Sequence, residues 1–154
     1  MTATLILRTP VDATVEQTWA GATDWARQGE WMLGTIVTPT AQGGQGVGGA
    51  ISAFTGLGRV GFVDTMEITV WEPPHRCHVR HTGKLVRGTG EFDVESRGTG
   101  LATFVWREDL ELPLGPLGRA GWPIIKPVFA YGVKLSLQRF ARWVEAGRPV
   151  SRAA

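Results

Sequence analysis

The stretch that decides the fold is residues 124–146, which read IIKPVFAYGVKLSLQRFARWVEA. Apolar and small side chains recur along it at spacings of three and four residues, the periodicity of one face of an α-helix. These positions are Ile125, Phe129, Gly132, Ser136, Phe140 and Trp143, and the opposite side carries Lys134, Gln138, Arg142 and Glu145. A helix with one apolar face needs a partner, so we predict a curved sheet, built by the preceding strands, that this helix closes around a cavity.

The residues before this helix predict its partner. Residues 4–9 read as a first strand, and six more β-rich segments follow near 34–40, 47–56, 60–71, 76–82, 88–96 and 100–111, separated by turns rich in glycine and proline. Short connections favour antiparallel neighbours, so we predict seven antiparallel strands in an α+β domain.

Two short helices are predicted between the first and second strands. Thr14 and Gln17 have the spacing of a capping box, which predicts a helix from about Val15 to Ala22. A second helical turn is predicted from Asp24 to Gly29. In the long helix, Pro123 suits the first turn, and Pro127 either delays the start to about residue 126 or kinks the helix near its beginning.

Composition limits the function classes. The chain has 154 residues and a net charge of +2, and its basic residues are scattered, which argues against nucleic acid as a partner. We expect one domain over residues 1–147, a flexible tail over 148–154, and a monomer or homodimer. A single cysteine, no signal-like start and no apolar run of about 18 residues predict a cytoplasmic protein without stable membrane insertion.

Two sequence patterns suggest nucleotide binding and metal binding. Residues 44–49 have the spacing of a dinucleotide fingerprint, but a strand-like segment follows where a helix is required, so the loop is interpreted as a flexible hairpin connection. His75, Cys77, His78 and His81 resemble a metal site. On a strand, however, Cys77 and His81 lie about 13 Å apart, so we expect no metal.

Strand alternation selects the side chains that face the interior. In the fourth segment Phe62, Asp64, Met66, Ile68 and Val70 share the more apolar face, with Trp71 on the other. Asp64 would lie either near a wet opening, which we favour, or buried with a raised pKa and available for acid-base chemistry. The same alternation turns Phe92, Val94, Ala102, Phe104 and Trp106 inward.

The order of these elements resembles the START-like, pollen-allergen-like (SRPBCC) superfamily, and within it the bacterial polyketide cyclase/dehydrase and lipid transport group. The matching positions are residues 11–13, Trp19, Trp31, residues 71–74, 88–92, 98–100 and 112–118. The resemblance implies a helix-grip fold and an internal site for lipids, sterols or polyketides. It also implies that the glycine-rich loop lies near the cavity mouth.

We therefore expect a hydrophobic small molecule as the ligand and no cofactor. The predicted lining consists of Trp31, Phe54, Met66, His81, Phe92, Phe104, Trp106, Phe129 and Val133, with His81 as a polar contact. The alternative is a cyclase or dehydratase in which Asp64 or His81 moves a proton. A protein-interaction module with a filled core is a third hypothesis, and exposed aromatic residues around Trp25 and Trp31 would be its sign.

Overall fold

The computed structural model describes residues 2–112 and 114–147. The strands are β1 Thr2–Val11, β2 Thr35–Pro39, β3 Ala50–Leu57, β4 Val60–Glu72, β5 Arg76–His81, β6 Gly88–Gly98 and β7 Leu101–Glu111. The α-helices are α1 Val15–Ala22 and α2 Pro116–Glu145, and short 3₁₀ segments cover Trp25–Glu30 and Ala41–Gly44. The predicted tail over 148–154 lies outside the described residues.

The seven strands form one curved antiparallel sheet in the order β1-β7-β6-β5-β4-β3-β2. Consecutive strands from β2 to β7 are neighbours, and β1 pairs with β7, so β1 and β2 are the edges. The C-terminal half of α2 is anchored in the core through Val133, Leu137, Phe140 and Val144, which are all buried. This confirms the predicted helix-grip architecture.

The long helix begins earlier than predicted. It starts at Pro116, and both Pro123 and Pro127 lie inside it. Pro116 occupies the first turn, where its missing N–H costs nothing. The apolar periodicity did not show residues 116–123 because none of their side chains is buried, and Leu117, for example, is 77% exposed.

The two predicted short helical segments are present. Thr14 Oγ1 accepts from the Gln17 N–H at 3.1 Å, and Gln17 Oε1 accepts from the Thr14 N–H at 3.0 Å, which completes the capping box. The second segment is a 3₁₀ helix, Trp25–Glu30, that buries Trp25 and Gln28.

A β-bulge in β4 changes one predicted orientation. The register with β5 shifts between Ile68 and Val70, after which Trp71 pairs with the buried Cys77. Because the shift reverses the alternation, Trp71 faces the core and contacts Trp19 of α1 with ring centroids 5.2 Å apart. The prediction that Val70 faces inward and Trp71 outward was wrong for this reason.

Aromatic rings fill the core at one end of the grip. Trp31, Phe104 and Phe140 are fully buried. The ring of Phe140 lies 4.8 Å from that of Trp31 and 4.6 Å from that of Phe104, measured between centroids. This cluster fixes α2 against the sheet, since edge-to-face and tilted contacts of this kind stabilise beyond area burial. Among the described residues, no helix has both the length and the apolar character required to cross a bilayer.

Candidate functional site

A cavity of about 420 Å³ lies between the inner face of the sheet and α2. Strands β2 to β7 contribute alternate side chains to its wall, and α2 covers it with positions from Trp122 to Ser136. The wall is predominantly apolar. Its size is within the range of small-molecule sites in proteins.

Four side chains mark the opening of this cavity because they line it and are also exposed. Leu33 is 38% exposed, Phe62 40%, Ile125 58% and Val128 73%. Leu33 precedes β2, Phe62 is the third residue of β4, and the other two lie in the N-terminal half of α2. The cavity therefore opens at the end of the sheet where β2 and β4 begin.

Six of the nine predicted lining residues lie on the cavity wall: Met66, His81, Phe92, Trp106, Phe129 and Val133. Trp31 and Phe104 do not line it, because they pack into the aromatic cluster with Phe140. Phe54 does not line it either. Its neighbours Ala53 and Thr55 face the cavity, and its cross-strand partners Ile36 and Val63 are exposed, so Phe54 lies on the outer face.

The wall carries a cluster of ionisable side chains, Asp64, His81 and Glu108, which we call the buried triad. Its other polar side chains include Gln28, Thr35, Thr55 and Ser136. His81 Nδ1 lies 2.7 Å from Asp64 Oδ2, and His81 Nε2 lies 3.1 Å from Glu108 Oε2. The second Glu108 oxygen, Oε1, accepts from the Trp106 indole N–H at 2.6 Å. All three triad residues are less than 10% exposed.

Three strands bring the triad together. Met66 of β4 is directly opposite His81 of β5, which places Asp64 beside the imidazole. Glu108 of β7 pairs with Gly90 of β6, and Gly90 also pairs with Val79. Since Gly90 has no side chain on the inner face, Glu108 reaches across β6 to His81. A Cβ at position 90 would lie 3.1 and 3.2 Å from the Glu108 carboxylate oxygens.

The triad has a distinctive electrostatic state. Burial alone lowers the pKa of His81, but its hydrogen bonds to Asp64 and Glu108 outweigh this effect and raise the pKa to about 9. The imidazolium is therefore the favoured form at neutral pH. Both of its ring nitrogens are occupied by protein acceptors, whereas Asp64 Oδ1 has no partner among the described residues.

This arrangement differs from the sequence prediction in two ways. Asp64 faces inward as predicted, but it is only 8% exposed and its carboxylate is paired with His81, so the favoured wet position was wrong. Glu108 was missed. The alternation that turned Ala102, Phe104 and Trp106 inward extends to position 108, so the signal was present in the sequence.

The glycine-rich loop is not at the opening. It joins the ends of β2 and β3 that are remote from Leu33 and Phe62. Gly44 O accepts from the Trp25 indole at 2.7 Å, and the Gly48 and Gly49 backbones bond to Ile68 at 2.9 and 2.8 Å. The loop is thus tied to β4 and the 3₁₀ segment, and it is remote from the cavity mouth, where the resemblance had placed it.

The histidines separate as the strand alternation predicts. Cys77 and His81 face the cavity, while His78 lies on the outer face with Nε2 2.8 Å from Asp93 Oδ1. His78, Glu91 and Asp93 form a group close enough to share a metal ion, on the side of the sheet away from the cavity. Burial raises the pKa of the Cys77 thiol to about 12, so the thiol stays neutral and is a poor nucleophile.

The sign proposed for a protein-interaction module is missing from the described residues. Trp25 is 4% exposed and Trp31 is fully buried. The exposed large apolar side chains lie elsewhere, mainly along the first half of α2 and at the tip between β3 and β4.

Comparisons with known proteins agree with this architecture. The profile of a family described as polyketide cyclase / dehydrase and lipid transport matches residues 3–145. No curated protein matches the sequence significantly.

Solved structures of similar fold share little sequence with this chain. The Zhui aromatase/cyclase from Streptomyces sp. R1128 has a TM-score of 0.78 at 12% identity, over 100% of this chain and 99% of that one. The protein TTHA0849 from Thermus thermophilus has a TM-score of 0.76 at 13% identity, over 94% and 99%. Norcoclaurine synthase from Thalictrum flavum, solved with dopamine and hydroxybenzaldehyde, has a TM-score of 0.68 at 13% identity, over 94% and 87%.

Proposed function

Because this chain belongs to the polyketide cyclase/dehydrase and lipid transport family, we propose that it binds a hydrophobic small molecule between the sheet and α2, as a carrier or sensor. The candidate classes are lipids, sterols and polyketide-like compounds. The observation that supports this proposal is the apolar cavity of about 420 Å³, which opens beside the first half of α2.

The energetics of such binding need no special motif. Removing roughly 300 Å² of apolar ligand surface from water contributes about 7 kcal/mol before the cost of association, at about 25 cal/mol per Å². Met66, Phe92, Phe129 and Val133 supply the surface that the ligand contacts. Shape then accounts for most of the selection among apolar ligands.

The test fills the cavity from the helix side. A Cβ at Gly132 of α2 meets no atom within 4 Å, and Gly132 lines the cavity, so Gly132→Phe places a ring in the ligand space without a backbone clash. Gly121→Phe is the matched control, since Gly121 belongs to the same helix but is not among the described lining residues.

The probe is N-phenyl-1-naphthylamine, an uncharged dye whose fluorescence rises in apolar surroundings. We expect the unmodified protein and Gly121→Phe to bind it alike, and Gly132→Phe to bind it at least about tenfold more weakly. Native mass spectrometry of protein purified from its own host should also show a retained hydrophobic molecule. A failure of the unmodified protein to bind the dye, together with no co-purifying molecule, would rule the proposal out.

The buried triad supports a second candidate, an acid-base enzyme of the cyclase or dehydratase type. Asp64 Oδ1 is the triad oxygen that has no partner among the described residues, so in this candidate it would take a proton from carbon next to a substrate carbonyl. The electron pair would form a carbon–carbon bond to a second carbonyl carbon, whose oxygen takes up the proton. His81 would act as a positioning residue, because both of its nitrogens already contact carboxylates.

Turnover of a poly-β-ketone analogue tests this second candidate. Asp64→Asn should reduce turnover at least about a hundredfold, in keeping with the usual contribution of a positioned general base. Asp93→Asn, which changes the histidine-paired aspartate on the outer face, should leave turnover unchanged. Unchanged turnover in Asp64→Asn would remove this residue from the mechanism and leave the carrier proposal standing.

A further inference from the structure

The cavity wall has two carboxyl groups and, among the described residues, one basic side chain, His81, which faces both of them. Its titratable residues are Asp64, His81, Glu108 and Cys77, and no lysine or arginine occurs among the described residues of the wall. The Cys77 thiol is neutral because burial raises its pKa to about 12. Gly90, which faces the triad from β6, adds no charge. The charge of the cavity is therefore that of the triad.

The triad carries one excess negative charge when its two histidine–carboxylate contacts hold one proton each and no further proton is bound. Each ring nitrogen of His81 is within hydrogen-bond distance of a carboxylate oxygen, at 2.7 and 3.1 Å, so each contact holds one proton. If both protons are on the ring, an imidazolium faces two carboxylates. If one has moved to Asp64, a neutral ring and a neutral acid face one carboxylate. The sum is −1 in both cases.

One acceptor of the triad is unused. Asp64 Oδ1 is buried and has no hydrogen-bond partner among the described residues, and Asp64 as a whole is only 8% exposed. The oxygens of Glu108 are both engaged, by His81 and by Trp106. A buried charge with an unused acceptor is costly unless a donor approaches it. A ligand that brings both a donor and a positive charge removes both costs.

We propose that the natural ligand joins an apolar body to a protonated amine, which donates to Asp64 Oδ1 and neutralises the triad. This inference rests on the proposed binding function and specifies the class of ligand. A neutral hydroxyl would satisfy the acceptor but leave the excess charge. A hydrocarbon would do neither, although it would gain the same apolar contacts. The amine is thus expected to bind most tightly of the three.

Three probes of nearly equal size separate these cases: naphthalene carrying an ethyl, a hydroxyethyl or an aminoethyl group. Titration at pH 7 can follow the fluorescence of Trp25, Trp106 and Trp122, which line the cavity. We expect the amine to bind at least about tenfold more tightly than the hydrocarbon, as a charge-assisted hydrogen bond provides. The alcohol should fall between them.

Variants then locate the effect. Asp64→Asn should reduce the preference for the amine over the hydrocarbon to less than about threefold. Asp93→Asn on the outer face should keep the full preference. Circular dichroism checks that both variants fold, and if Asp64→Asn does not fold, the order of the three probes in the unmodified protein decides the question.

The outcomes separate this inference from the proposed function. If the hydrocarbon binds and the amine binds no better, or if the alcohol binds best, the amine inference is overturned and the binding function stands. If the amine preference persists in folded Asp64→Asn, the assignment to Asp64 is overturned. If no probe binds, the binding function itself fails.

Discussion

Strand β5 carries two histidines three residues apart, and the two faces of the sheet give them different surroundings. His81 faces the cavity between Asp64 and Glu108, and its side chain is 5% exposed. His78 faces outward beside Asp93, and their side chains are 13% and 31% exposed. The nitrogen–oxygen distances are nearly the same, 2.7 Å from His81 to Asp64 and 2.8 Å from His78 to Asp93. Similar distances thus describe two interactions whose energies differ, because charge is poorly screened on the inner face.

The two faces of the sheet differ in how they stabilise a charged side chain. On the outer face, water solvates whatever a pair leaves unsatisfied, so a single histidine–aspartate pair suffices. On the inner face the imidazole has two carboxylate partners, one of which is also held by Trp106. A buried charge needs several partners, and removal of one affects all the others.

Removal of the histidine should produce the largest difference between the faces. His81→Ala leaves Asp64 and Glu108 as buried like charges and should lower the free energy of unfolding by about 3–5 kcal/mol. His78→Ala should lower it by about 1 kcal/mol or less. Urea denaturation followed by tryptophan fluorescence gives both values. Losses of similar size would show that burial does not distinguish the two pairs.

The pH dependence of stability should come next. The folded-state pKa of His81, raised to about 9, exceeds the unfolded value of about 6.5, so its contribution is complete below pH 6.5 and is lost as pH rises through about 9. The free energy of unfolding should therefore fall over this interval.

Urea denaturation from about pH 6 to about pH 8.5 measures this fall before the unfolded cysteine contributes strongly. The fall should be absent in His81→Ala and retained in His78→Ala. An unmodified protein with constant stability over this range would contradict the assigned state of His81.

The space at Gly90 sharpens the comparison further. Gly90→Ala would place a Cβ 3.1 and 3.2 Å from the Glu108 oxygens and 3.2 Å from Val79 Cγ2, which should destabilise the protein by about 1–3 kcal/mol. Gly121→Ala in α2 is the control, since its Cβ would lie 3.9 Å from the nearest atom, Ile125 Cδ1. This substitution should stabilise the protein by about 0.5–1 kcal/mol. A neutral result at Gly90 would mean that Glu108 moves freely.

The smallest expected effect is outside the cavity. Phe54→Ala should change the affinity for an apolar probe by less than about twofold, because Phe54 lies on the outer face of β3. Phe129→Ala removes a lining ring and should weaken binding about tenfold, in line with the apolar area lost. Dye titration of both variants measures this. Equal losses would return Phe54 to the site.

The sequence alone was sufficient to predict the order of the helices and strands, and to predict which side chains of most strands face the interior. Period-two alternation identified the inward side of β6 and β7. The same alternation places Glu108, two residues after Trp106, on that side. The alternation could not reveal the bulge at Thr69, because a bulge depends on how β4 pairs with β5 and not on the sequence of β4 alone. Trp71 was therefore assigned to the wrong face.

The triad and the aromatic cluster required tertiary information. Asp64 and His81 are 17 residues apart in sequence, and only the β4–β5 register brings them into contact. Trp31 and Phe104 are as apolar as the rings that line the cavity, so their types do not reveal whether they face a void or one another. The first half of α2 lacks the buried stripe by which helices are identified.

Because burial is uneven along α2, its two halves should differ in how often their backbone hydrogen bonds open. In α2, Pro123 and Pro127 cannot donate backbone hydrogen bonds, and the side chains of Leu117, Ile124 and Val128 are largely exposed. Beyond Val133 the helix is pinned by buried side chains. Amide protons over residues 116–128 should therefore exchange with deuterium through local opening, and those over 137–144 only through global unfolding. The proposed ligand would then enter and leave the cavity through the first half of the helix while the sheet stays intact.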